Sequence, residues 1–97
     1  MKRTNSQSIG KLLEDFFQEN PLLADKLAET RLIDAWKKVL GSLTSQYTTN
    51  IYIKKKVLYV KLSSSVLRNE LSMCREQLVK NLNKEAGREV INDIILS

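Results

Sequence analysis

Histidine is absent from the 97 residues, and cysteine, proline and tryptophan occur once each. Without His the chain lacks the commonest general base and the commonest metal ligand. A lone cysteine, Cys74, cannot close an internal disulfide. There is no phosphate-binding Gly-rich loop, dinucleotide fingerprint, metal-ligand cluster or nucleophile with a partner base. No catalytic residue, metal, cofactor or small-molecule substrate is therefore expected, and the chain does not read as an enzyme. One Pro and three Gly beside 42% hydrophobic and 28% charged residues argue against disorder. No apolar run approaches the ~20 residues that span a bilayer. The Met-Lys-Arg start gives way to polar Thr4 to Ser8 instead of a secretory segment. The expectation is a cytoplasmic protein without membrane contact. Its length suits one domain, residues 1–97, with a short flexible start at about 1–7.

The most informative absence is local. Residues 35–69 contain no Asp or Glu, yet they carry Lys37, Lys38, Lys54, Lys55, Lys56, Lys61 and Arg68. The flanks are balanced: residues 1–34 and 70–97 each have a net charge of −1. The whole excess of +5 thus comes from the middle third. Lysines often merely solubilise hairpins and blunt sheet edges. Seven cations against no acid favour a footprint for a polyanion.

Hydrophobic spacing gives the elements. Ile9, Leu12, Leu13, Phe16 and Phe17 predict an amphipathic helix, capped at Ser6 or Ser8 and ending near Asn20. Pro21 suits a first helical position, and a second helical stretch runs towards Gly41. Within it Leu23 and Leu27 lie nearly opposite Leu32, Ile33, Trp36, Val39 and Leu40, which predicts a break near Glu29, Thr30 and Arg31 with Thr30 as a cap. From Gln46 the period becomes two. Tyr47 to Lys54 and Val57 to Leu62 then read as a hairpin pairing Ile53 with Leu58, Ile51 with Val60, Tyr52 with Tyr59 and Asn50 with Lys61. Lys55-Lys56 would form the two-residue turn, although such turns prefer Asn or Gly at positive φ. A four-residue loop from Lys54 to Val57 keeps the same pairing. Val66, Leu67, Leu71, Cys74, Leu78 and Leu82 predict one long helix over residues 65–86, ending near Gly87. Val90 to Leu96 reads as a last strand, internal to the sheet because apolar residues fall on both of its faces. The class is α+β: N-terminal helices, a hairpin, a long helix and a final strand, forming a three-stranded sheet with helices mainly on one face.

Few side chains stand out. Cys74 and Trp36 lie on apolar stripes and read as core. Ser63, Ser64 and Ser65 read as capping hydroxyls, although a helix N-terminus can also hold phosphate. Arg68 stands in the first turn of the long helix, where an acid would be favoured, and Arg75 follows on the same side. Tyr52 and Tyr59, with Lys54 and Lys61 around them, are the nearest approach to an aromatic and basic nucleic-acid surface. A cross-strand Tyr pair is also ordinary sheet stabilisation. A helix over that face would end the idea.

Ala35-Trp36 followed by Val39 and Gly41, then Thr48, then Leu58, Val60 and Leu62 running into Ser63-Ser64, Glu70-Leu71, Leu78, Leu82-Asn83, Gly87 and a Val-Ile strand carry a family likeness. In order and spacing, over residues 9–96, the chain resembles the bacterial domain-of-unknown-function family that contains DciA, the replicative helicase operator. The resemblance implies a K-homology-like fold, nucleic-acid binding and help in placing the replicative helicase on DNA. Leu67 stands where the family often has Trp, and Lys55-Lys56 where Asp-Gly-like residues are common. The strand runs to the end of the sequence, so nucleic-acid binding is expected ahead of helicase loading. The Gly-x-x-Gly loop of true K-homology domains is missing, which argues against sequence-specific RNA reading. The expected contacts are Lys54, Lys55, Lys56, Lys61, Arg68, Arg75, Tyr52 and Tyr59, extended by Lys37 and Lys38, with DNA favoured over RNA. The competing reading is an interaction module that recognises an acidic partner surface, with the helicase itself as the candidate partner.

Overall fold

A computed structural model describes residues 6–97, with side chains from Ile9 onward. Most of the polar start expected over residues 1–7, and the capping hydroxyl expected from Ser6 or Ser8, lie outside the described residues. The element order is α1 (Ser6–Glu19), α2 (Pro21–Gln46), β1 (Thr48–Lys54), β2 (Val57–Leu62), α3 (Ser65–Ser72), α4 (Arg75–Ala86) and β3 (Asp93–Leu96). Three strands form one mixed sheet in the order β1-β2-β3, so the class is α+β as expected.

β2 is the central strand, and its alternation divides the molecule. Leu58, Val60 and Leu62 are buried against the helices, whereas Lys61 faces out and Val57 and Tyr59 are half-covered. Ala28, Leu32, Ala35 and Trp36 from α2, Leu71 from α3 and Leu78, Leu82 and Ala86 from α4 complete one core with Val90, Ile91 and Ile94. Both helical layers thus serve the same sheet face. The opposite face is left open.

The structure differs from the sequence expectation in α2, in the segment 65–86 and in the final strand. α2 passes unbroken through Glu29, Thr30 and Arg31, and the Thr30 hydroxyl donates to the Lys26 carbonyl at 3.0 Å instead of capping a new helix. The two apolar groups on α2 meet different neighbours. Leu27 lines a groove with Leu13 and Phe17 of α1, while Leu32 and Trp36 enter the core. The interruption falls at Gly41, whose φ of 87° and ψ of 168° lie where only glycine sits without strain.

The expected 65–86 helix is two helices. Cys74 adopts φ −125° and ψ 32° and forms the N-cap of α4. A straight helix would carry Cys74 inward; the bend turns it out, and the thiol is exposed instead of buried. Locally, the Ser72 hydroxyl donates to the Asn69 carbonyl at 2.8 Å, a bond that competes with the helical ladder. The break lets α3 meet β2 and β3 while α4 packs along α2. Cys74→Ser is expected to leave stability unchanged within about 0.5 kcal/mol or to raise it, because serine is a favoured N-cap, as chemical denaturation would measure.

The final strand is shorter than expected and sits at an edge. It pairs only with β2, in parallel, with Val57 beside Asp93 and Tyr59 beside Ile95. The exposed apolar residue that suggested an internal strand is Ile95, on the open face. Val90 and Ile91 are buried ahead of the strand because Asn83 of α4 holds them. Its side-chain oxygen accepts from the Val90 and Ile91 N–H groups at 2.9 and 3.1 Å, and its amide donates to the Ile91 carbonyl at 2.8 Å. Three part-buried bonds of about 1 kcal/mol each predict that Asn83→Ala lowers stability by about 2–3 kcal/mol in urea unfolding. Asn83→Asp should lose less, since its carboxylate can still accept from both N–H groups.

Candidate nucleic-acid interface

The hairpin forms in the expected register: Asn50 with Lys61, Ile51 with Val60, Tyr52 with Tyr59 and Ile53 with Leu58. The turn contains Lys55 and Lys56 alone. Their φ angles of 51° and 64° are both left-handed, as a two-residue hairpin turn demands and as lysine resists. The twist of the paired strands imposes the conformation, and three consecutive ammonium groups, Lys54 to Lys56, stand exposed at the tip.

Period two places Asn50, Tyr52 and Lys54 of β1 on the open face with Val57, Tyr59 and Lys61 of β2. Asp93 and Ile95 of β3 complete that face through their register with Val57 and Tyr59. The Tyr52 and Tyr59 rings stack with centroids 4.9 Å apart and planes inclined by 10°. One side of the Tyr59 ring meets Tyr52, and Ile95 stands on its other flank; the outer side of Tyr52 points to the free edge of β1. Tyr52 is 47% exposed, so a planar group could stack on it from that edge.

The charges around this face are unevenly partnered. Asp93, its one acid, is 3.3 Å from the Arg75 guanidinium, which brings Arg75 beside the hairpin end of the sheet. Lys38 is held 3.0 Å from Glu85 of α4, on the helical side of the molecule. Among the described residues, Lys37, Lys54, Lys55, Lys56, Lys61 and Arg68 have no acidic partner within 4.0 Å. The structure therefore brings Tyr52, Tyr59, Lys54 and Lys61 onto one face, with Lys55, Lys56 and Arg75 at its hairpin end. It leaves Lys37 and Lys38 on α2, in the helical layer, and half-covers Arg68 on α3.

Ser64 acts as the expected cap of α3, its hydroxyl accepting from the Leu67 N–H at 3.2 Å. Trp36 is core, and its indole N–H donates to the Thr48 hydroxyl at 2.9 Å, tying α2 to the start of β1. Sequence reasoning missed Asp93 and Ile95 as members of the open face. Only the parallel register with β2 reveals them, and no local pattern encodes that register.

Among the described residues no helix is long and apolar enough to cross a membrane, and no three or more Asp, Glu, Cys or His side chains gather as metal ligands. No curated protein matches the chain. No solved structure matches it either. A family model described as Dna[CI] antecedent, DciA, matches residues 8–96. With nearly all of its length covered, and with the helices, hairpin and closing strand in the order the resemblance implies, the chain belongs to the DciA family, a family associated with the replicative helicase.

Proposed function

We propose that residues 1–97 form one non-enzymatic, cytoplasmic domain that binds DNA near the replicative helicase, through phosphate contacts at the hairpin and base stacking on the open sheet face. The observation that carries this reading is the stacked Tyr52–Tyr59 pair on an uncovered face, flanked by Lys54 and Lys61. Stacking on an aromatic ring contributes about 1–3 kcal/mol per base and tolerates any sequence. Lysines add the sequence-independent part by displacing condensed counterions. Lys55, Lys56, Lys61 and Arg68 stand ready without competing acids, whereas Arg75 and Lys38 would first leave Asp93 and Glu85. Lys37 extends the set along α2. The helicase association of the family supports DNA over RNA.

That same association supports a second reading, in which the basic hairpin docks on an acidic surface of the helicase and touches no nucleic acid. One titration separates the two. Labelled single-stranded and duplex DNA are titrated at several salt concentrations. The proposal expects saturable binding at low salt, with log K falling linearly against log salt by about 0.7 per phosphate on single strands and about 0.9 on duplex. No binding of either DNA at the lowest salt would overturn it in favour of the acidic protein surface.

A further inference from the structure

The outer edge of β1 carries unpaired strand groups. In the hairpin turn the Lys54 carbonyl and the Val57 N–H face each other, and antiparallel pairing alternates from there. Tyr52 and Asn50 accordingly turn their backbone groups toward β2, while Ile53 and Ile51 turn theirs outward. Among the described residues, no backbone partner meets the Ile53 N–H or the Ile51 and Ile53 carbonyls; the Ile51 N–H donates only to the Asn50 side-chain oxygen, at 3.0 Å. An open edge of this kind invites another strand. The stretch Thr48–Lys54 contains no proline, and its one charge is at the end.

We propose that this edge pairs with the same edge of a second copy of the chain, antiparallel about Tyr52, giving a six-stranded sheet. The edge is self-complementary in that register. Ile53 stands opposite Ile51 of the second copy, so that both outward N–H and both outward C=O groups of each copy find partners. On the core side these isoleucines, each half-covered in the single chain, cover one another. On the open side Tyr52 meets Tyr52 of the second copy in a non-hydrogen-bonded pair, the closer of the two antiparallel spacings, and the Tyr59–Tyr52 stack continues into the other copy. Lys54 falls opposite Asn50, so no like charges face each other, and the two Lys55-Lys56 turns point to opposite ends.

The dimer sets the lysines of two copies along one continuous face, and in that respect it rests on the proposed DNA-binding reading; Tyr52 of the second copy takes the place at the β1 edge where a base would stack, so base stacking on Tyr52 belongs to the single chain. The pairing itself does not. Five paired residues on each side bury far less than the roughly 1,600 Å² of a standard interface, and each copy carries a net charge of +5. Association is accordingly weak at low salt and strengthens when salt or a polyanion screens the charge.

Site-directed crosslinking tests the register. Tyr52→Cys and Lys54→Cys are each made with Cys74→Ser, and the full chain is incubated with oxidised glutathione at high salt without DNA. Both positions are exposed, so the variants should fold, which circular dichroism checks. The cysteines at 52 meet across the two-fold at a spacing a disulfide accepts, whereas those at 54 lie about four residues apart along the strands, too far to bridge. Crosslinking at least about tenfold faster at 52 than at 54 is the expected result, with wild-type protein shifting from monomer toward dimer in sedimentation as salt and concentration rise. Equal rates at the two positions, or a strictly monomeric chain under all conditions, overturns the pairing. DNA binding without preferential crosslinking leaves the proposed function standing and removes only the dimer. Crosslinking without DNA binding does the reverse.

Discussion

Replacing the hairpin tip by Lys54→Thr, Lys55→Asn and Lys56→Gly is expected to make the protein more stable and a much weaker DNA binder. The two effects have separate causes. Lys55 and Lys56 occupy left-handed backbone at φ 51° and 64°, a conformation costing roughly 1–2 kcal/mol for an ordinary side chain and little for glycine or asparagine. Relief at both positions should add about 1–2 kcal/mol to the unfolding free energy. Binding loses three phosphate contacts. Each carries a salt slope of about 0.7 to 0.9, so the slope should flatten by roughly 2 to 3 units, and affinity at about 0.1 M salt should fall on the order of 100- to 500-fold. The loss should be the same for all sequences, since phosphate contacts carry no base information. Lys11, Lys26 and Lys84 changed together to Ala remove the same charge from elsewhere and should flatten the slope much less. Equal losses in the two triple variants would mean that net charge alone attracts DNA and would end the localised site. Because the tip variant gains stability, its lost binding could not be put down to misfolding.

Leu82→Ala is expected to cost about 3–5 kcal/mol, a large share of the roughly 5–15 kcal/mol that holds a small domain together. Leu82 is fully buried on α4, in one core with Leu32 of α2, Leu58 of β2 and Ile91 and Ile94 near the closing strand, all likewise without exposure. Truncation removes the transfer energy of the lost methyl and methylene groups. It also leaves a cavity that helices and sheet, held on several sides, cannot collapse to fill. For a domain this small the melting temperature should drop on the order of 15–25 °C. Leu22→Ala is the matched control: its side chain is 83% exposed at the start of α2, and its replacement should change stability by less than about 0.5 kcal/mol. Similar losses at the two positions would mean that Leu82 is not at the centre of the core.

Where one face of an element is buried throughout, its pattern could be read from the residues alone. The hairpin register was legible because Ile51, Ile53, Leu58, Val60 and Leu62 on one side and Tyr52 and Tyr59 on the other admit a single alignment. That register alone places Lys54 and Lys61 on the side of the tyrosines. The register offers Lys55-Lys56 as a two-residue turn but does not separate it from a four-residue loop over Lys54 to Val57, since nothing in lysine favours the positive φ that strand pairing enforces. The stripe through Leu71, Cys74 and Leu78 concealed the bend at Cys74: apolar periodicity continued, and the one local signal, Ser72 bonding back to Asn69, is weak. The edge position of β3 was hidden for a related reason, because Ile95 is apolar yet exposed. Lys38 illustrates the limit for the site. Its pairing with Glu85 depends on how α2 lies on α4, which no local pattern encodes.

The parallel pairing of β2 with β3 also sets an order of assembly. The hairpin closes through a two-residue turn, and such ribbons form in roughly 1–10 μs. β3 can reach β2 only after residues 63–92 have folded back through α3 and α4, and closing a segment of that size costs entropy before any contact repays it. The hairpin and the meeting of α2 with α4 should therefore precede β3, which docks last. In pulse-labelled hydrogen exchange during refolding, amides of the hairpin should become protected before the Leu62 and Ser97 N–H groups, which bond to the Ser97 and Val60 carbonyls at 2.7 and 2.9 Å. Until β3 docks, Leu58 and Val60 lack the cover of Ile94 and one side of the central strand is unpaired, so the refolding chain is most prone to aggregate in that interval.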